Sequence, residues 1–379
     1  MDPVTHAASG AVAMLALPHR PATRWAVPLA ALAAAAPDVD VLLAHTPLQF
    51  LLLHRGLTHS LFFAPVLGLA LTLLARPLWK TATPGHWRPA PVWLFMTCMV
   101  LLHIWLDCIT TYGTMIFVPF SHLRVRLNAV FIIDLLLTLP LLLALWRWRD
   151  RWWRMLLALV WLFVYPLAGL SLNSWHTAQV EDLLAAQGKT VRQVTVLPDA
   201  FAPFFWRVLY EEESPQGMLV HLRGLDALGR FRTAESVSPA ASPRLLDALA
   251  RQSVAARAFF DFAILPVVRP VPPAELPTSP EAVGIAPVRL MIYDLRFGSS
   301  LGWVREIMNH RPNADIPFKY LAEVDCVRQA ALSADAEMCA APHLLRERLR
   351  FSDSRQDSLW RAPRRPEPAP WPLWLVGLY

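Results

Sequence analysis

The first half of the chain is dominated by long apolar runs, and the second half is not. Six runs predict helices over residues 4–17, 25–43, 57–75, 92–110, 130–146 and 153–172. Several of these runs are shorter than the ~20 residues that a helix needs to cross a bilayer. Polar residues also interrupt them from within. The pattern therefore predicts a mainly α, polytopic membrane domain over residues 1–175, with short, broken helices around a polar site.

Residues 176–379 have a mixed, charged and proline-rich sequence. Short apolar stretches predict strands over residues 191–197, 204–211, 218–222, 288–295 and 318–324. A helix is predicted over residues 243–262, with Ser242 as its N-cap, and the proline-rich residues 267–287 predict a linker. The apolar terminal residues 371–379 are too short to span a membrane. We expect a C-terminal α+β soluble domain over residues 176–379.

Composition and charge indicate a membrane protein and argue against nucleic-acid binding. Hydrophobic residues make up 55% of the chain and charged residues only 17%, with a net charge of +6. The basic residues are mostly arginines at the ends of apolar runs, as is typical of charge that flanks membrane helices. We therefore expect membrane lipids as partners and no nucleic acid. The start, Met1-Asp2-Pro3, lacks the basic segment of a cleavable signal peptide.

The arginines and lysines also predict an orientation. They cluster near residues 20–24, 76–88 and 147–154, and alternating helices would bring these three clusters to one face. The positive-inside rule assigns that face to the cytoplasm. The chain would then leave the membrane after Leu172 on the opposite side, which predicts a multi-pass inner-membrane protein with a periplasmic C-terminal domain. A disulfide between Cys326 and Cys339 would suit that oxidising compartment.

The densest polar stretch, residues 54–60 (His-Arg-Gly-Leu-Thr-His-Ser), lies in otherwise apolar sequence. Burying such groups costs several kcal/mol each unless they are paired or bound to a metal. At 1.5 Å per residue, polar residues of five segments lie at one depth, roughly 17–25 Å from the cytoplasmic ends of their helices. These residues are His6, Asp38, His59, His103 and Asp134. Their agreement in depth predicts one shared site.

Imidazoles and carboxylates without a nearby cysteine predict a metal site. His103 and Asp107 are four residues apart and share one helix face, and Gly56 permits a bend between His54 and His59. Such ligands suit one or two zinc ions, with manganese or iron as alternatives. The predicted ligands are His6, Asp38, His54, His59, His103, Asp107 and Asp134. The plainer alternatives are a hydrogen-bonded His103–Asp107 pair, helix capping by the aspartates, an exposed His6, and Asp134 as a support for a ligand.

Three further residues are predicted to serve the chemistry of this site. Arg55 has the planar donor geometry that neutralises a phosphate oxygen, although it could instead form an ordinary salt bridge to Asp40. Asp40 could supply a further hard oxygen beside the helix break at Pro37. Thr58 is predicted to be a hydrogen-bond support and not a nucleophile.

Five blocks of the N-terminal sequence together resemble a known family. The blocks that carry the resemblance occur in order: Thr5-His6, Pro37-Asp38-Val39-Asp40, residues 54–60, His103-xxx-Asp107 with Thr110 to Gly113, and residues 131–134 (Phe-Ile-Ile-Asp). The chain resembles the YdjM/YbcI-type membrane-bound metal-dependent hydrolases of bacterial inner membranes over roughly residues 1–145. It is more weakly similar to the zinc-dependent phospholipases C, whose later histidine and glutamate ligands have no match here.

The resemblance implies a metal-dependent hydrolase. A metal-activated water would attack a phosphoester or acyl bond of a lipid-like or envelope substrate at the outer leaflet. Two alternatives from other classes are a non-catalytic metal-binding or transport protein and a regulatory membrane protein that recruits partners. Transport needs a polar path to both faces, and the cytoplasmic ends of the predicted helices carry no intramembrane acids or histidines.

Overall fold

The computed structural model describes residues 1–79, 88–215, 217–271, 287–297, 299–309, 318–325, 342–351 and 359–366. The disulfide predicted between Cys326 and Cys339 lies outside these residues, as does the terminal apolar segment 371–379. The chain folds into a helical N-terminal part and a C-terminal part built on two antiparallel sheets. The prediction of a helical membrane part followed by an α+β part is confirmed at this level.

Nine helices form the described N-terminal part. They are α1 (Pro3–Leu15), α2 (Ala26–Ala35), α3 (Asp40–Leu43), α4 (Pro47–Leu53), α5 (Ala64–Leu74), α6 (Arg76–Trp79), α7 (Pro89–Cys108), α8 (Leu135–Arg147) and α9 (Trp152–Ala186). Short 3-10 turns lie at Ala36–Val39 and Leu57–His59. Among the described residues, three stretches are long and apolar enough to cross a membrane: Ala26–Leu43, α7 and α9. A fourth span is possible if Pro47–His59 and Ala64–Leu74, which meet at 80°, act as one broken span.

Two predicted helices begin later than expected, because polar side chains end the helical pattern. The helix predicted from residue 57 begins only at Ala64, since Arg55 and Thr58 hydrogen-bond to Asp40. The helix predicted from residue 130 begins at Leu135, where the Asp134 carboxylate caps it by accepting from the Leu137 N–H. Helix α4 was not predicted. Helix α9 is longer than predicted and runs through residue 175, the predicted domain boundary.

Helix α1 is buried in the centre of the N-terminal part. It packs on α2, α7, α8 and α9, and its small residues allow a close approach to α2. A Cβ at Gly10 would lie 2.2 Å from the Ala30 carbonyl oxygen, so only glycine fits at this crossing. Thr5 and Thr138 also join α1 to α8 through a 2.6 Å hydrogen bond between their hydroxyls. These contacts fix the position of α1, and therefore of its residue His6, relative to α2 and α8.

The described C-terminal part contains two four-stranded antiparallel sheets. The strands are β1 (Val191–Pro198), β2 (Phe205–Ser214), β3 (Gly217–Asp226) and β4 (Ser236–Pro239) in the first sheet, and β5 (Pro266–Pro270), β6 (Val288–Asp294), β7 (Phe318–Asp325) and β8 (His343–Phe351) in the second. A bridge between Ala240 and Val267 joins the two sheets. Helices α10 (Pro243–Gln252) and α11 (Val254–Phe262) pack on the second sheet, and α12 (Gly302–Asn309) follows β6.

All five predicted strands are confirmed, and two other details of the prediction are wrong. The single helix predicted over residues 243–262 is two helices, because Ser253 is extended and caps α11 by accepting from the Ala256 N–H. The predicted linker from residue 267 begins with β5, which pairs with β6. Strands β4, β5 and β8 were missed as short or charged edge segments, since pairing partners, and not sequence alone, decide whether such segments form strands.

The two parts of the chain meet at the loop after α7. The Arg296 guanidinium donates to the carbonyl oxygens of Thr111 (3.2 Å), Tyr112 (3.0 Å) and Phe262 (2.9 Å). Leu51 of α4 and Tyr112 share a hydrophobic core with residues of α10, α11 and the second sheet. The C-terminal part is therefore seated directly on the loops that carry the polar site.

Candidate metal centre

Asp38 and Asp40 lie where α2 ends in a 3-10 turn. Pro37 has no N–H to donate and cannot continue the α-helical pattern, so the chain changes to a 3-10 turn over Ala36–Val39 before α3 begins. The turn places the two carboxylates in different surroundings. Asp38 has a side chain that is 24% exposed, whereas Asp40 is buried.

The Asp40 carboxylate organises the loop over residues 54–60. Its Oδ2 accepts from the Arg55 backbone N–H (3.0 Å) and from the Thr58 hydroxyl (2.9 Å), and its Oδ1 lies 3.0 Å from His54 Nδ1. Arg55 has a φ of 61°, a left-handed conformation that is unfavourable for a side chain of this size. The bonds to Asp40, together with the Met115 N–H bonded to the Arg55 carbonyl, hold this turn in place.

His103 and Asp107 lie one turn apart on α7, and both are fully buried. As predicted from their spacing, they face the same side of the helix, with His103 Nε2 3.6 Å from Asp107 Oδ2. His103 Nδ1 donates to the carbonyl oxygen of Ala34 on α2 over 2.6 Å. A carbonyl oxygen can only accept, so His103 Nδ1 carries a proton and Nε2 of the neutral ring does not.

The same reasoning fixes the tautomer of His59. The Thr58 hydroxyl donates its proton to the Asp40 carboxylate, so its oxygen accepts from His59 Nδ1, 2.9 Å away. Neutral His59 therefore also presents an unprotonated Nε2. The two Nε2 atoms of His59 and His103 lie 3.0 Å apart. Two lone pairs at this distance repel each other unless a proton or a metal ion lies between them.

Two carboxylates complete the group around these nitrogens. His59 Nε2 lies 3.2 Å from Asp107 Oδ2 and 3.5 Å from Asp38 Oδ1, and His103 Nε2 lies 3.5 Å from Asp38 Oδ1. Two nitrogens bound to one tetrahedral zinc at their usual distance would be roughly 3.3 Å apart. Asp107 Oδ2 is buried and has no hydrogen-bond partner among the described residues. Asp38, His59, His103 and Asp107 thus fit one divalent ion.

Arg55 is bound to the opposite oxygen of Asp107. Its Nη2 lies 2.8 Å from Asp107 Oδ1, and its Nη1 donates to the Thr110 hydroxyl over 3.0 Å. The guanidinium also stacks over the Tyr112 ring, 4.7 Å from its centroid. The alternative salt bridge to Asp40 is not formed by the Arg55 side chain, which is 5% exposed. The amino group of Met1 also contacts Asp107 Oδ1.

Two other predicted ligands, His6 and His54, lie beside this group of four residues. His6 stacks on His103 with ring centroids 3.7 Å apart, and its Nε2 lies 3.4 Å from Asp107 Oδ1. Neither ring nitrogen of His6 has a hydrogen-bond partner among the described residues. His54 belongs to a second, smaller group with Asp38 and Asp40, but its Nδ1 is already bonded to Asp40.

The structure does not bring Asp134 into either group. Besides capping α8, the Asp134 carboxylate accepts from the Tyr165 hydroxyl at 3.0 Å to each oxygen. Tyr165 also contacts the Ala202 carbonyl oxygen, so Asp134 connects α8, α9 and the start of the C-terminal part. Equal depth in the membrane was a poor guide here, because depth along a helix does not report the direction in which a side chain points.

Sequence reasoning missed several residues that build the centre. The Ala34 carbonyl, which orients His103, has no signal in the sequence, since every residue has a carbonyl. Tyr112 was noticed only as part of the loop after the fourth helix, but it contacts Arg55 and His54 on one side and Phe262 on the other. Thr110 could have been found from its three-residue spacing to Asp107, whose carbonyl it binds.

Comparison with known proteins bears on the family of the N-terminal part. A model of the YdjM inner membrane protein family matches residues 1–176, which contain every residue of the centre. No curated protein and no solved structure matches the chain. Together with the candidate membrane spans, the match supports an inner-membrane location. As the sequence blocks predicted, residues 1–176 are similar to the YdjM inner membrane protein family.

Proposed function

We propose that this protein is an integral inner-membrane, metal-dependent hydrolase. The observation that carries the proposal is the pair of Nε2 atoms of His59 and His103, which carry no proton in the neutral rings and lie 3.0 Å apart beside two carboxylates. Asp38, Asp40 and Asp107 carry three negative charges, whereas the Arg55 guanidinium and the Met1 amino group, both on Asp107, carry two positive ones. The remaining negative charge favours a cation at this site. Zinc suits these ligands best, and manganese or iron are the alternatives.

When bound, such an ion would supply a nucleophile from water at neutral pH and polarise the bond under attack. The chain's own residues would position the ligands. Arg55 holds Asp107 by its Oδ1, which leaves Oδ2 directed at the histidines. Asp40 and Thr58 hold His59, and the Ala34 carbonyl holds His103. Arg55 therefore acts as a positioning residue, and its predicted contact with a substrate anion would need this pairing to open.

The surroundings of Asp38 favour a lipid-like substrate. Asp38 is the ligand with an exposed side chain, and the residues that follow it are apolar and exposed, with Leu42 at 73% and Leu43 at 61%. Exposed apolar side chains on a membrane span face lipid. A substrate would then reach the centre from the bilayer, which suits a phosphoester or acyl bond near a lipid headgroup.

We further propose that the chain is multi-pass and that the C-terminal part is periplasmic. The three basic clusters support this orientation, since in the sequence they follow the C-terminal ends of α1 and α5 and lie at that of α8, whereas residues 54–60 precede α5. The metal centre would then lie towards the outer leaflet, beneath the C-terminal part.

Metal content tests the centre itself. Purified wild-type protein should contain about one zinc per chain, because Asp38, His59, His103 and Asp107 could together hold one ion. His103→Ala and Asp107→Ala should each lose most of this metal, measured by inductively coupled plasma mass spectrometry. His45→Ala is the matched control, since His45 is exposed and outside the centre. Equal trace metal in all four proteins would contradict a metal site.

Thr58 tests whether the hydrogen bonds behind the ligands matter. Thr58→Val removes the hydroxyl between Asp40 and His59 Nδ1, so zinc affinity should fall about 10–100-fold, as for other residues that orient metal ligands. Thr58→Ser keeps the hydroxyl and should keep the affinity. Competition with a chromogenic chelator measures both. An unchanged affinity in Thr58→Val would show that the hydroxyl does not orient His59.

Hydrolysis is a separate test. Protein in detergent or vesicles should cleave phospholipids or p-nitrophenyl esters, and chelator should abolish this activity until zinc is restored. Asp38→Asn, which weakens the accessible ligand, should lower kcat at least tenfold while the fold, followed by its thermal transition, is kept. Stoichiometric zinc without any chelator-sensitive hydrolysis of either substrate class would argue for a non-catalytic metal-binding protein.

Reporter fusions test the orientation. Alkaline phosphatase, which is active only in the periplasm, should be active when fused after Gly188, in the turn that follows α9. A fusion after Asp150, between α8 and α9, should be inactive. The reverse pattern would place the C-terminal part in the cytoplasm and overturn the orientation.

A further inference from the structure

A cleft of about 290 Å³ lies between α4 and the C-terminal part, away from the metal centre. Leu48 and Leu52 of α4 form one wall. Val254 and Leu349 are among the apolar residues of the opposite wall. Two arginines, Arg361 and Arg364, lie at the rim, and both are exposed.

The exposed charged groups that line this cleft are the guanidiniums of Arg361 and Arg364. Among the described residues, neither Arg361 nor Arg364 lies within salt-bridge distance of a carboxylate, although the charge of Arg361 acts on the Glu347 carboxyl. The acidic residue in the cleft is Glu347, whose Oε2 accepts from the hydroxyls of Ser253 and Tyr320. Burial raises the pKa of Glu347, against these hydrogen bonds and the charge of Arg361. Its carboxyl is thus engaged inside the protein, whereas the two guanidiniums face outwards.

We propose that this cleft binds one anionic phospholipid, with its phosphate on Arg361 and Arg364 and the start of an acyl chain along α4. Guanidinium groups match phosphate oxygens with paired donors, and an arginine rim over an apolar wall fits both ends of such a molecule. A lipid is favoured over free phosphate because α4 continues, through the 80° bend, into the apolar helix α5. The lipid would contact α4 and the C-terminal part together.

Binding of defined lipids to the full-length protein in neutral detergent tests this site. Native mass spectrometry counts bound molecules during titration with short-chain phosphatidylglycerol, with zwitterionic phosphatidylcholine, or with glycerol phosphate, which has the head but no chains. One phosphatidylglycerol should bind at least tenfold more tightly than either of the other two. The variant Arg361→Gln/Arg364→Gln should lose this preference and keep its zinc content and its thermal transition.

Arg365→Gln is the matched control, because Arg365 is exposed in the same segment but does not line the cleft. It should bind phosphatidylglycerol as the wild type does. A second variant, Leu52→Glu, places a negative charge on the apolar wall and should also weaken binding. Unchanged binding in the double arginine variant, an equal loss in Arg365→Gln, or equal affinity for phosphatidylcholine would each overturn the proposal. Equal affinity for glycerol phosphate would show a simple anion site.

Discussion

The carboxylate of Asp40 is the interaction on which the rest of the site depends. It binds the Arg55 backbone, the Thr58 hydroxyl and the His54 ring at once, and it thereby holds a loop whose Arg55 has a left-handed backbone. Such a conformation costs on the order of 1–3 kcal/mol and persists only where its surroundings fix it. With the loop fixed, His59 faces α7 and Arg55 reaches Asp107. Without Asp40, the loop that presents both side chains to α7 would lose these three bonds.

The centre is assembled from elements that are distant in sequence, and each ligand is held by a second contact. The Ala34 carbonyl orients His103, Thr58 orients His59, and Arg55 orients Asp107. These contacts matter because an apolar environment offers no water to satisfy a misplaced polar group. The same scarcity makes the buried, unpartnered Oδ2 of Asp107 informative. It is directed at the place where a cation would be bound.

The C-terminal part is coupled to the centre through Tyr112 and Arg296. Tyr112 lies between the Arg55 guanidinium and the Phe262 and Phe297 rings, and Arg296 ties the loop after α7 to α11. On the other side of α4, the proposed lipid cleft joins the same two parts of the chain. The C-terminal part therefore contacts the N-terminal part in two places, at the aromatic cluster around Tyr112 and along α4.

The sequence by itself predicted the helical N-terminal part, most of the strands and the four residues that meet in the candidate metal centre. Apolar runs predict helices because burial or lipid contact is their stable environment, and the four-residue spacing of His103 and Asp107 places both on one face. Only the tertiary structure separated the ligands from their neighbours. It brought Asp38 and His59 to His103, set His6 beside the group, and directed Asp134 to Tyr165 instead. The physical reason is that sequence spacing gives position along a helix, whereas the direction of each side chain depends on how the helices pack and on partners, such as the Ala34 carbonyl, that leave no trace in the sequence.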